Sequence, residues 1–185
     1  MERYWFLTWT TYGTWLPGDA RGFVGPVRVA DRQREQANLK QEPPHAPNPA
    51  LRRHSQRLLK HDPVWLTAVD ADILLTQLQE TSQYRGWELL AVAIMSNHIH
   101  LVVGVADDPE PTTLLRDFKA YGSRALNLRS SQKLMRWWTE HGSVRKLHSE
   151  DAIAQVVQYV ARQHLPLALW QNDGWLKGRL PAIDH

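Results

Sequence analysis

The triplet His98-Ile99-His100 is the part of this chain best suited to chemistry. It lies in an apolar run, Leu89-Leu90-Ala91-Val92-Ala93-Ile94-Met95, then Ser96-Asn97, then His98-Ile99-His100-Leu101-Val102-Val103. Side chains alternate faces along a strand, so both imidazoles point the same way, roughly 7 Å apart, and Ile99 points into the core. Two ring nitrogens so placed can converge on one metal ion. Ionisable rings in an apolar strand need a polar task to offset their desolvation. A second group lies downstream, Tyr159-Val160-Ala161-Arg162-Gln163. Helical residues four apart share a face, so a helix here presents the Tyr159 phenol and the Gln163 carboxamide together. Gln163 offers an oxygen ligand, His98 and His100 offer nitrogen ligands, and Tyr159 offers a nucleophile. A phenol, with a reference pKa of about 10, attacks a phosphodiester poorly unaided. A divalent ion beside the phosphate neutralises charge and polarises the phosphoryl oxygen. The covalent phosphotyrosine formed by attack retains the bond energy needed for rejoining.

These groups need a sheet and a late helix to hold them. Tyr4 to Tyr12 is aromatic and β-branched and reads as a strand closed by Gly13, Pro17 and Gly18. Residues 18–64 read as an irregular, proline-rich insertion with a short helix near 50–60. Residues 67–85 have helical spacing through Val69, Ile73, Leu74, Leu78 and Thr81, and Gly86 ends them. Strands follow at about 87–95 and 98–105, joined by Ser96-Asn97; Asp107-Asp108-Pro109 closes the second. A basic amphipathic helix covers 112–128. A fourth strand is expected within 134–147, where Trp137 and Trp138 would alternate faces, one in the core and one a candidate for base stacking or dimer contact. Ser149 caps a last helix that runs to about Gln163, with Ile153, Val156, Val157 and Val160 as its packing stripe. The tail at about 166–185 shows no period. This order predicts an α+β fold: an antiparallel sheet of about four strands with helices on one face, in a split βαβ plan, plus a C-terminal helix. One domain is expected over 1–185.

The chain of 185 residues carries a net charge of only +3, unevenly spread. Residues 21–60 hold nine basic and three acidic side chains, and residues 111–148 hold eight and two; between them, residues 61–110 hold one basic and eight acidic. Two basic segments suit a polyanion, since phosphate contacts dominate affinity for nucleic acid. Lys119, Arg124, Arg129 and Lys133 are candidates for one phosphate track, and Arg52, Arg53 and Arg57 for hairpin contact. The absence of cysteine excludes disulfides and thiolate metal sites. No apolar run is long enough for a transmembrane helix, so no membrane partner is expected. The start, Met1-Glu2-Arg3-Tyr4, lacks the shape of a signal peptide, and a cytoplasmic location is expected.

The His98-Ile99-His100 triplet on a strand, Tyr159-x-x-x-Gln163 on a late helix, the opening strand ending Tyr12-Gly13-Thr14-Trp15-Leu16-Pro17-Gly18-Asp19 and the element order together resemble the HUH single-tyrosine transposases, and within them the REP-associated tyrosine transposases. The resemblance spans about residues 3–165. It implies a Mg²⁺ or Mn²⁺ ion held by His98, His100 and Gln163, and Tyr159 as nucleophile. It also implies cleavage of single-stranded DNA to a 5′-phosphotyrosine and a free 3′-hydroxyl beside an imperfect hairpin. Many such proteins act as homodimers, and in some the tyrosine helix of one subunit completes the other's site. Two features depart from the pattern. Ser96 stands where many relatives have proline, and the 18–64 segment has no counterpart in the smallest members.

Two other classes fit parts of the pattern. A non-catalytic nucleic-acid-binding module on a split βαβ sheet would expose aromatics on its central strands. A metal phosphoesterase using water would leave Tyr159 idle. Tyr121, in the basic helix, is the rival nucleophile, though core packing or DNA stacking suits it better. His141 and His148 flank the fourth strand without an assigned role.

Overall fold

The computed structural model describes residues 3–21, 25–28, 34–37, 47–106, 109–131, 133–134 and 136–175. Along the chain they form β1 (Arg3–Thr10), β2 (Gly25–Arg28), β3 (Arg34–Ala37), α1 (Pro49–Arg57), α2 (Ala68–Arg85), β4 (Glu88–Ile94), β5 (His98–Val105), α3 (Pro111–Arg129), β6 (Ser143–Leu147), α4 (Glu150–Ala161) and β7 (Ala168–Gln171). Two compact units result. Residues 11–64 make one; residues 1–10 and 65–185 make the other.

The larger unit is built on an antiparallel sheet in the order β6-β1-β5-β4-β7. β5 is antiparallel to both β1 and β4, so those two run parallel with β5 between them. That is the split βαβ arrangement expected, with one more strand than expected. β7 is the addition. It is a four-residue edge strand pairing Ala168–Gln171 with Ala91–Ile94, too short to show a period in sequence. The fourth strand is shorter than the 134–147 window. Trp137 and Trp138 precede it and are both buried. The expected alternation fails because that segment is not a regular strand. Each indole instead finds an acceptor: Trp137 Nε1–H donates to Asn127 Oδ1 at 2.8 Å, and Trp138 Nε1–H to the Lys119 carbonyl at 3.0 Å. Neither ring is available for base stacking.

Strand alternation divides the side chains between two faces. Leu7, Trp9, Ile99 and Leu101, almost wholly buried, form one face, where Trp9 meets Trp138 edge-on and Trp9 and Leu115 of α3 both lie against Gly142. The opposite face carries Tyr4, Phe6, Ala91, Ala93 and Val102, packed with Leu147 and with Ile153, Val156, Val157 and Val160 of α4. Thus α3 and α4 lie on opposite faces of the sheet, with α2 packed beside α3.

Caps and buried charges hold the helices. Thr67 and Asp70 form a capping box at the start of α2, and Gly86 ends that helix in the left-handed conformation (φ 65°). Buried Asp70 also accepts from Ser130 Oγ at 2.6 Å, tying the start of α2 to the end of α3. Arg85 Nη2 meets buried Asp117 Oδ2 at 2.6 Å, a second tie between the same helices. Ser149 caps α4 by accepting from the Ala152 amide at 3.1 Å, as its position in the sequence suggested.

The unit 11–64 contains the β2–β3 ladder and α1. Asn48 caps α1 through the Leu51 amide. Gly18 (φ 86°) packs so tightly on the Asn48 carbonyl that a Cβ would stand 2.4 Å from the oxygen, so only glycine fits. Arg21 binds Asp19 through Nε at 2.8 Å and holds its carboxyl down at about 2. The expected closure at Asp107-Asp108 lies outside the described residues, as do residues 176–185 of the tail and parts of the 18–64 insertion. Among the described residues, no helix is long and apolar enough to cross a membrane.

Asp70 is the sharpest test of this packing. Replacing Asp70 by Ala removes the carboxylate half of the capping box and the bond from Ser130 Oγ, an expected loss of about 1–3 kcal/mol in chemical denaturation. Asp72→Ala, at an exposed position on the same helix, is expected to change stability by under about 0.5 kcal/mol.

Candidate active site

The register of β1 against β5 places Thr8 opposite His100 and Thr10 opposite His98. Both histidines fall on the sheet face that α4 covers, as alternation predicted. Their rings stand 4.8 Å apart between centroids, nearly perpendicular at 80°. The turn before them, Ser96-Asn97, lacks the left-handed residues usual in a two-residue hairpin. The Leu66 amide donates to the Ser96 carbonyl at 2.7 Å, and the Asn97 side chain turns to the site. Asn97 Oδ1 lies 2.7 Å from His98 Nδ1, and Thr8 Oγ1 lies 2.9 Å from His100 Nδ1. The carboxamide oxygen is only an acceptor, so this contact suits the His98 tautomer with its proton on Nδ1 and its lone pair on Nε2. Thr8 Oγ1 can accept from His100 Nδ1–H in the same way. Neither Asn97 nor Thr8 stands out in the sequence; their roles follow from the turn and the cross-strand register.

Tyr159 lies on α4, one residue before Val160 of the packing stripe, and is half exposed. Its ring meets His100 edge-on at 5.6 Å and Phe6 at 6.1 Å. Phe6 in turn stacks on His100 at 5.5 Å and 25°. The two histidines and the tyrosine are therefore brought together within one chain, around an aromatic ring that the sequence reading did not single out.

Gln163 is placed differently from expectation. α4 ends at Ala161 with Arg162 as C-cap, so Gln163 lies beyond the helix. Its Nε2–H donates to the Tyr159 carbonyl at 3.2 Å, which satisfies one of the orphan carbonyls of the last turn. Oε1 remains as the donor atom. Gln163 shares a surface cleft of about 380 Å³ with Gln155, Gln158, Tyr159, Arg162 and His164. Among the described residues no group of three or more His, Asp or Glu side chains could hold a metal. Any ion at the histidine pair must therefore complete its shell with amide, water or substrate oxygens. The pair suits that requirement, since neighbours hold both Nδ1 atoms and coordination would run through Nε2.

The basic candidates separate. Lys119 donates to the carbonyls of Thr139, Glu140 (3.1 Å) and His141 (3.3 Å). Burial pushes its ammonium down to about 8. It holds the segment leading into β6. Arg124 is exposed and lies over the Tyr121 ring at 5.5 Å. Arg124 and Arg129 are borne by α3, across the sheet from the histidines, and Lys133 follows that helix. All three are exposed, as are Arg52, Arg53 and Arg57 of α1.

Fold and site together describe a split βαβ protein with a histidine pair facing a helix-borne tyrosine. A sequence profile described as IS200-like transposase matches residues 57–163, more than half of the chain and inclusive of all these groups. The chain belongs to that transposase family. Comparison with curated proteins finds no match. Solved structures of similar shape include the REP-associated tyrosine transposase bound to a REP hairpin, at 12% identity and a TM-score of 0.48, covering 86% of this chain and 64% of that one. A candidate transposase from Deinococcus radiodurans is similar at 18% identity and a TM-score of 0.45, covering 89% and 92%. The chain thus spans under two thirds of the first structure's length, and family membership rests on the sequence match.

Burial, and second the neighbouring His98, push His100 down from 6.5 to about 4. The folded protein therefore leaves this ring neutral where an unfolded chain already takes up a proton. Metal-free protein is expected to lose stability as pH falls from 6.5 towards 4, by up to about 1.4 kcal/mol per pH unit, with no further loss below. Denaturant unfolding near pH 7 and near pH 5 checks this. His100→Gln should flatten the dependence, and an unchanged slope would exclude His100 as its source.

Proposed function

We propose that this protein nicks and rejoins single-stranded DNA at hairpin-bearing ends through a covalent 5′-phosphotyrosine at Tyr159. The observation that carries the reading is the Tyr159 ring standing against His100, with His98 beside it, on one sheet face. The Tyr159 oxygen bonds to phosphorus, the P–O3′ bond breaks, and the departing 3′-oxygen takes up a proton while the phenol gives one up. Attack by a 3′-hydroxyl on the phosphotyrosine reverses the step and rejoins a strand.

A Mg²⁺ or Mn²⁺ ion bound there would neutralise charge on the phosphoryl oxygens. His98 and His100 would hold it through Nε2 and Gln163 through Oε1. Thr8 and Asn97 keep the ring nitrogens oriented. Phe6 and the α4 stripe fix the height of the tyrosine over the pair. The exposed cations Arg124, Arg129 and Lys133 supply phosphate affinity from the far side of the sheet, Arg52, Arg53 and Arg57 supply it from the 11–64 unit, and Lys119 braces the β6 approach. A hairpin as partner is supported by one structural relative, which was solved with a REP hairpin. A homodimer is compatible with β6, which is an edge strand of the sheet among the described residues. Cover by α4 disfavours a plain binding module, whose central-strand aromatics would be free to stack.

Labelled single-stranded stem-loop DNA with randomised flanks, incubated with Mn²⁺ and run on a denaturing gel, tests the reaction class. The expected product is a shifted, protease-sensitive band that Tyr159→Phe abolishes while DNA binding stays within about two-fold. Cleavage without any adduct would indicate attack by water, and binding without cleavage would indicate a binding module. Thr8→Val is expected to weaken Mn²⁺ affinity about 10-fold or more by freeing the His100 ring, read by calorimetric titration. Unchanged affinity would remove Thr8 from the site.

A further inference from the structure

We propose that Arg145 binds the phosphate flanking the scissile one and so holds the DNA strand in line with Tyr159, an inference that rests on the nicking reading above. Register places it there. On β6, Arg145 pairs with Phe6 and Ser143 with Thr8, while Thr8 on its other side pairs with His100. Directly paired residues share a face, so Arg145 stands on the histidine face and Lys146 on the opposite one. The ring contacts agree. The Arg145 guanidinium lies over Phe6 at 5.4 Å, and Lys146 Nζ over Trp5 at 5.6 Å. Phe6 is the ring that also touches His100 and Tyr159. One aromatic side chain therefore separates a permanent cation from both the histidine pair and the nucleophile.

Arg145 is exposed, and among the described residues no carboxylate pairs with it. An aromatic face restricts a guanidinium without neutralising it, and leaves its planar fork of donors directed outward. A phosphodiester matches that fork in charge and geometry. The offset from the tyrosine by the width of Phe6 favours the neighbouring phosphate over the one attacked. Surface packing alone is the competing role. It would make Arg145 matter for stability and not for DNA.

Two measurements separate these roles. The first is the salt dependence of binding to single-stranded oligothymidylate in EDTA, where no cleavage occurs. Arg145→Ala is expected to lower the slope of log K against log salt by about 0.7, the value of one lost phosphate contact. The second is the rate of Tyr159 adduct formation, expected to fall at least about 10-fold in Arg145→Ala and to recover partly in Arg145→Lys. Thermal melting of each variant verifies the fold. Lys146→Ala, which removes a charge from the other face of the same strand, should leave both readouts at wild-type values. An unchanged slope and rate in folded Arg145→Ala would overturn the assignment, and so would equal losses in Lys146→Ala. If wild-type protein forms no adduct, the nicking reading fails, and the slope alone decides whether Arg145 meets phosphate.

Discussion

Antiparallel pairing of β1 with β5 sets Thr8 against His100 and Thr10 against His98, and the rest of the site depends on that register. A slip of one residue would turn both imidazoles into the apolar layer under α3 and bring Ile99 onto the face that meets Tyr159. The slip is opposed by Leu7, Trp9, Ile99 and Leu101, all essentially without solvent exposure. Each such side chain contributes roughly 1.5–3 kcal/mol by burial, far more than any polar contact at the site. The hydrophobic layer on one face therefore fixes the chemistry on the other. Burying His100 beside His98 costs free energy, and the Thr8 hydroxyl and the Phe6 ring offset part of it.

The tyrosine is positioned by the same logic from above. Val156, Val157 and Val160 of α4 are buried against the sheet. One residue is about 100° of helix rotation, so Tyr159 lies at the margin of that contact, where it meets Phe6 and His100 yet stays half exposed. A nucleophile needs both properties: a fixed body and a reachable oxygen. Ile153 and the Ser149 cap extend the anchorage towards the start of the helix. Its end is less firmly determined, because the last carbonyls need partners from outside the helix.

Much of this is legible in the sequence, and the boundary of what is legible has a physical origin. Within one element, period fixes direction: two for His98 and His100, 3.6 for Tyr159 beside the α4 stripe. Signals at element ends, such as Gly86, Ser149 and the Thr67/Asp70 pair, are equally local. Between elements that information stops. Nothing in the sequence brings Phe6, Thr8 or Arg145 to the histidines, because each arrives by cross-strand register over a long stretch of chain. The four-residue β7 is shorter than the window over which a period can be read. Trp137 and Trp138 look like strand residues by composition, yet their indole N–H groups bond to Asn127 and to the Lys119 carbonyl, and no ladder forms there. Lys119 resembles a phosphate ligand in sequence because a cation's partners are invisible until the 139–141 segment folds over it.

At Gln163 the end of a helix redirects a side chain. Spacing from Tyr159 put both on one face, which holds only while the helix continues. The helix stops at Ala161, and φ turns positive at Leu165 (54°) just before Pro166, a conformation costing a non-glycine residue about 1–2 kcal/mol. The chain must reverse there because β7 lies antiparallel to β4 at the sheet edge, and the Leu167 amide already bonds the Ile94 carbonyl at 2.8 Å. Pairing of β7 thus sets where α4 ends. The helix end in turn directs the Gln163 amide nitrogen onto the Tyr159 carbonyl. The same bond that departs from the helical expectation ties the carboxamide to the backbone of the tyrosine, so any displacement of that residue carries Gln163 with it. Oxygen and phenol remain coupled through a hydrogen bond in place of a shared helix face.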